Sequence, residues 1–127
     1  MTLRRLSGRK VCERVKTKGF LWKGKHFFVR YLIGLPRSYP ANSPTGLYVG
    51  TLTSVKLHKS AVKRNRMRRR CREALRVTLA TSALPHFRTS AQLLLLPRSS
   101  SLECNFKEIL ADIDRLLSHL QDSARRS

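Results

Sequence analysis

The chain has 127 residues, 41% of them hydrophobic, which makes one ordinary domain with enough apolar side chain for a core. Its 27 Lys and Arg against seven Asp and Glu give a net charge of +20, whose self-repulsion destabilises a compact state unless counter-charge is supplied, which points to a polyanionic partner. Nucleic acid is the natural one and an anionic membrane surface the lesser. No apolar run is long enough to span a bilayer and no secretory signal opens the chain, so membrane insertion is not expected.

In chain order, residues 4–18 read as a short basic helix with Leu6, Val11 and Val15 as apolar contacts, stopped at Gly19. His26 to Ile33 is rich in aromatic and β-branched residues and reads as a strand. Phe27, Val29, Tyr31 and Ile33 share one face of it, and Phe28, Arg30 and Leu32 the other. Residues 34–46, with three prolines and two glycines, form a loop. A second strand follows over Leu47–Thr53, where Gly50 suggests a bulge or a close backbone approach, with a further short strand possible near Ser54–Leu57.

From about Ser60 to Leu79 the chain lacks Gly and Pro and is helical by propensity. Lys56 to Arg76 holds ten Lys and Arg against one acid, Glu73, so this helix must face water or a polyanion. On a helical wheel Met67, Cys71, Ala74, Leu75, Thr78 and Leu79 form a core stripe, and Asn65, Arg66, Arg69, Arg70, Arg72 and Arg76 the opposite arc. Arg64 and Arg68 lean toward the apolar side but overhang its edge. Glu73 is placed to pair with Arg69, Arg70 or Arg76. Pro85 closes the region, and Ala91–Leu96, stopped by Pro97, reads as a buried strand.

The last helix carries Phe106, Ile109, Leu110, Ile113, Leu116, Leu117 and Leu120 at spacings of three and four, with Asn105 as N-cap and Glu108 as its capping-box partner. Glu108, Asp112 and Asp114 are assigned to its outer side, and about 122–127 to a disordered tail. The cations are unevenly spread: residues 1–102 hold 23 against two acids, Glu13 and Glu73, whereas 103–127 hold four against five. Cys12, Cys71 and Cys104 are odd in number and scattered, which fits reduced thiols in a cytoplasm. Without a Cys-x-x-Cys pair, and with His26, His58, His86 and His119 far apart, no metal site is expected. The order of elements, α-β-β-(β)-α-β-α, gives an α+β class, a two-layer α/β sandwich in a single domain over 1–127.

The run Ser60-Ala61-Val62-Lys63-Arg64-Asn65-Arg66-Met67-Arg68-Arg69-Arg70-Cys71-Arg72-Glu73-Ala74 resembles the central-helix signature of the bacterial ribonuclease P protein subunit. The glycine after the first helix, the aromatic strand, the run Ala91–Arg98 and the Phe-led last helix resemble the rest of that family in order. The resemblance implies a left-handed βαβ crossover through the basic helix, where generic rules would give a right-handed one. It implies binding to a catalytic RNA that cleaves the 5′ leader from precursor tRNA, with magnesium ions held mainly by the RNA and no catalytic residue in the protein. No obligate protein partner is inferred.

Carried over residue by residue, Arg64, Asn65, Arg66, Arg68, Arg69 and Arg72, with Lys56 and Lys63, resemble the RNA contacts. Guanidinium forks suit phosphates and base edges. Tyr31, Phe28, Val11 and Val15 fall where the family holds the leader; the two valines stand in for phenylalanines, and Tyr31 or Phe28 could stack a base. The approach to the basic helix, Ser54-Val55-Lys56-Leu57-His58-Lys59, lacks the family's glycine, and Arg70 replaces a position that is often apolar. The alternative is a basic, non-catalytic RNA- or DNA-binding or ribosome-associated protein using the same helix. A purely solvated arginine face does not explain ten nearly unopposed cations, and the Ala/Cys/Thr stripe suits a sheet better than a lipid surface.

Overall fold

In a computed structural model, which describes residues 2–81 and 90–126, three helices pack on a five-stranded mixed sheet. The strands are β1 (Thr2–Arg5), β2 (Phe20–Lys23), β3 (Phe27–Ile33), β4 (Gly46–Thr51) and β5 (Ala91–Pro97). The helices are α1 (Arg9–Lys18), α2 (Ala61–Thr81) and α3 (Phe106–Arg126), with a short 3-10 turn at Ser99–Leu102. Sheet order is β1-β4-β5-β3-β2. β5 lies antiparallel to β3 and parallel to β4, so α2 is the crossover between two adjacent parallel strands.

The alternation in β3 sorts its side chains as the sequence predicts. Phe27, Val29 and Tyr31 join Leu47, Val49, Leu93 and Leu95 in the main core, roofed by Cys71, Ala74 and Leu75 of α2 and by the α3 stripe. The intervening residues Tyr48 and Leu94, with Leu32 and Leu96 beside them, face the other way and pack with Leu6, Val11 and Val15. The α/β sandwich thus carries α2 and α3 on one face and α1 on the other. Cys71 is fully buried, and burial pushes its thiol pKa up to about 12, so it is an inert core residue.

Several boundaries differ from the sequence reading, each for a physical reason. Residues 4–18 are not one helix: Thr2–Arg5 pair parallel with β4, and α1 begins only after Gly8, whose φ of 103° breaks the chain direction. Phe20–Lys23 add an edge strand to β3. Gly19 does stop α1: it leaves the helix in an extended conformation with its N–H on the Val15 carbonyl, and only glycine fits there, since a Cβ would lie 2.3 Å from that oxygen. Ser54–Leu57 is a turn closed by the Leu57 N–H on the Ser54 carbonyl, not a strand. Register runs unbroken through Gly50 and Leu94, so β4 has no bulge. α3 continues through the stretch assigned to a disordered tail, as far as Arg126. Pro85 lies outside the described residues.

Asp112 is the sharpest correction. It is fully buried, not on the outer side of α3, and its carboxylate accepts the main-chain N–H groups of Lys25 (3.1 Å) and His26 (2.7 Å). Asn105 caps α3 through the Lys107 N–H. Glu108 does not close a capping box. Its carboxylate is taken by Lys25 at 2.8 Å, and that hydrogen bond, with the ammonium charge behind it, holds the carboxyl below the usual carboxylate range.

Candidate nucleic-acid interface

α2 is launched by Ser60, whose hydroxyl accepts the Lys63 N–H (3.3 Å) and whose carbonyl accepts the Arg64 N–H (3.0 Å). Val62 at the first turn is 74% exposed, and burial begins only at Met67, so the opening of the helix overhangs the core. Lys56, Lys63, Asn65, Arg66, Arg69 and Arg72 are all exposed.

β1 ends at Arg5, opposite Val49, so Gly50 and Thr51 have a strand neighbour only on the β5 side. Around that uncovered edge α1 and the start of α2 converge on a cleft of about 1090 Å³. Arg9, Cys12, Glu13 and Lys16 line it from α1, and Asn65, Arg68, Arg69 and Arg72 from α2, over a floor of Gly50 and Leu94. A second hollow of about 760 Å³ lies on the other flank, with Arg66, Arg70 and Arg76 and, at its inner wall, Leu3 and Phe106. Arg69 and Arg72 line both hollows and form the ridge between them.

The arginines divide by what their guanidinium groups hold. Arg64 donates to the carbonyls of His58 (2.7 Å) and Lys59 (3.1 Å), fastening the turn that leads into α2. Arg68 donates to the Asn65 side chain. Arg70 reaches back to the carbonyls of Ser101 (2.7 Å) and Cys104, tying α2 to the start of α3. Arg76 is the partner of Glu73, whose carboxyl its hydrogen bond holds below the usual carboxylate range. Arg66, Arg69 and Arg72 have no acceptor among the described residues, and nor do Arg9 and Lys16 across the cleft. Uncommitted forks at i, i+3 and i+6 suit a run of phosphates.

Arg70 therefore behaves differently from its neighbours. Arg70→Ala should cost about 1–2 kcal/mol of stability, because two carbonyls lose a charged donor, while leaving the salt dependence of RNA binding unchanged. Urea unfolding together with a salt titration of RNA affinity measures both. A changed salt slope would make Arg70 a phosphate contact instead.

Of the four aromatic and apolar residues assigned to the leader, two are not accessible. Val15 is 0% exposed beneath α1, and Tyr31 is 6% exposed on the α3 side of the sheet. The Tyr31 hydroxyl is 2.8 Å from His119 Nε2, and its ring lies against Phe20 and His119. Val11 is half-buried in the same small core as Val15. On α1 the residues that line the cleft are the ones beside them, Cys12 and Lys16, which the sequence reading missed. Phe28 is half-buried, on the opposite face of β3 from Tyr31, with the Arg98 guanidinium 5.2 Å from its ring centroid. By register Phe28 sits beside Leu96, two residues along β5 from Leu94 on the cleft floor, so cleft and Phe28 belong to one face.

Carboxylates are scarce here. Among the described residues Glu13 is the one acid lining the cleft and Glu73 is committed to Arg76.

Comparisons with known proteins bear on the family and the fold. A family model described as Ribonuclease P matches residues 2–121. Ribonuclease P protein components from Rickettsia felis and a Cyanothece species are 25% and 29% identical, each over 92% of this chain and 97% and 92% of their own lengths. The solved ribonuclease P protein of Thermotoga maritima superimposes with a TM-score of 0.68 at 18% identity, covering 91% of this chain and 96% of its own. That of Staphylococcus aureus does so with a TM-score of 0.64 at 19% identity, covering 91% and 94%.

Proposed function

This chain belongs to the ribonuclease P protein family, and from that membership we propose how its surface serves the ribonucleoprotein. As the protein subunit of an endoribonuclease complex it partners the ribonuclease P RNA. In our reading it docks on that RNA through the α2 ridge and presents the adjoining sheet face to the 5′ leader of precursor tRNA. The observation that carries the reading is the set of uncommitted cations from two helices, Arg9 and Lys16 with Arg69 and Arg72, converging on one cleft.

Arg66, Arg69 and Arg72 serve as the phosphate contacts, with Asn65 and Arg68 as a coupled pair at the rim and the exposed Lys56 and Lys63 extending the positive track toward the turn. Arg64 acts mainly on the protein, by holding that turn. Phe28, with Arg98 over it, is the stacking platform for a leader base, and Val11 contributes only the partly exposed edge of α1. Cleavage itself is assigned to the RNA and to magnesium ions bound mainly by it. The paucity of carboxylates on the basic face supports that division. The complex is placed in the cytoplasm, and among the described residues no helix is long and apolar enough to cross a membrane.

The test mixes the protein with a folded bacterial ribonuclease P RNA and precursor tRNA at low magnesium. The expected result is faster 5′-leader removal than with RNA alone, and a Phe28→Ala protein that weakens precursor tRNA more than mature tRNA. No gain in cleavage would defeat the proposal; equal loss for both tRNAs would move the leader off Phe28.

A further inference from the structure

At the end of the sheet where β2 turns into β3, the fold gathers three side chains far apart in sequence. His26 precedes β3, Cys104 lies between the 3-10 turn and α3, and Glu108 is in the first turn of α3. Their ligand atoms, an imidazole nitrogen, a thiol sulfur and a carboxylate oxygen, all lie within 4.8 Å of one another. None of the three lines the cleft between α1 and α2.

The imidazole is fixed and incomplete. His26 is 5% exposed, its main-chain N–H is held by Asp112, and its carbonyl accepts the Arg98 N–H at 3.0 Å. Nδ1 lies 2.9 Å from the Ser100 hydroxyl, leaving Nε2 buried without a hydrogen bond and 3.5 Å from a Glu108 oxygen. With Nδ1–H donating to Ser100, Nε2 presents a lone pair to a carboxylate and a sulfur. Glu108 Oε1 is held by the Lys25 ammonium at 2.8 Å and the Cys104 thiol carries its own proton, so the group rests without an ion, but Nε2 is left as a buried donor atom that an incoming metal ion would complete.

The donor set favours the metal. We propose that His26, Cys104 and Glu108 form a three-ligand site for a zinc-class divalent cation that clips the start of β3 to the start of α3. A nitrogen, a sulfur and an oxygen suit a borderline-soft ion, and magnesium would want oxygen alone. Zinc bonds of about 2.0–2.3 Å in a tetrahedron put ligand atoms roughly 3.3–3.7 Å apart, so Cys104 and Glu108 turn inward on binding and Glu108 Oε1 is shared with or released by Lys25. The thiol loses its proton on binding, and thiolate plus carboxylate then neutralise the dication. Water completes the fourth position. The supports are already built: Ser100 orients the imidazole, and Arg70 holds the Cys104 carbonyl.

Full-length protein stripped of metal is titrated with Zn²⁺ against a chromophoric chelator and, separately, with Co²⁺ while its absorption is followed. One equivalent should bind, and cobalt should show a thiolate charge-transfer band that Cys104→Ser abolishes. Cys104→Ser and His26→Gln should each weaken zinc by about tenfold or more, whereas Cys12→Ser, with its thiol in the cleft, should not. No stoichiometric binding, or binding indifferent to both substitutions, overturns the proposal. Should His26→Gln fail to fold, the cobalt band of the unaltered chain against that of Cys104→Ser decides.

Discussion

Replacing Arg69 and Arg72 together with alanine is expected to flatten the log–log salt dependence of RNA binding by roughly 1.4–1.8 units, at about 0.7–0.9 per phosphate contact. At fixed salt the affinity should fall about tenfold per guanidinium, from the roughly 1.5 kcal/mol lower bound of a hydrogen bond to a charged group. These two are chosen because they line both hollows and hold no protein acceptor among the described residues, so their removal leaves the fold intact. Arg64→Ala would confuse the result, since Arg64 also fastens the carbonyls of His58 and Lys59. The measurement is RNA affinity across a salt series for the double variant beside the parent, with unfolding midpoints as the control. An unchanged slope at reduced affinity would mean that Arg69 and Arg72 read bases or shape and not phosphates.

That choice of residues needed the structure, and the reason is instructive. The sequence locates the basic helix, its core stripe and the α3 stripe because each is a long periodic pattern, and periodicity survives without knowledge of neighbours. It does not say which cation is free. Arg70 and Arg72 are two residues apart in one basic run, yet only Arg70 reaches the Ser101 and Cys104 carbonyls, more than thirty positions away.

The leader residues divide by phase. The family resemblance places Val11 and Val15 toward the leader, whereas their i, i+4 spacing marks the apolar face of α1 that packs in the small core, and the cleft is lined one residue further along, by Cys12 and Lys16. The alternation in β3 correctly separates Tyr31 from Phe28, and yet a period of two cannot tell which face α1 will cover. The edge strands β1 and β2 escape because four residues are too few for a pattern, and Arg4 and Arg5 read as the basic start of α1.

Asp112 marks the limit of what the wheel tells: at 100° per residue it falls about 40° beyond Leu116, just outside the arc that the apolar residues cover, so the pattern alone does not bury it. Its oxygens take two main-chain N–H groups of the β2–β3 turn, at Lys25 and His26, and a third donor from Arg115 on its own helix. Asp112→Ala leaves the buried His26 N–H and the part-buried Lys25 N–H without their acceptor and is expected to cost about 2–4 kcal/mol, at roughly 1–3 kcal/mol for the buried group and about 1 kcal/mol for the part-buried one. That is a large share of the ~5–15 kcal/mol that holds a domain of this kind together. Asp112→Asn keeps one acceptor but turns an amide donor toward the second N–H, so it should also destabilise, by less. Arg115→Ala should cost at most ~1 kcal/mol, because its side chain is 57% exposed and the pair is screened by water. Urea unfolding without RNA and with chelator present separates the three, as shifts of midpoint at constant slope. If Asp112→Ala unfolded at the parent's midpoint, the turn would not depend on α3. The same contact would then lose its role in presenting His26, while the RNA ridge on α2 would be untouched.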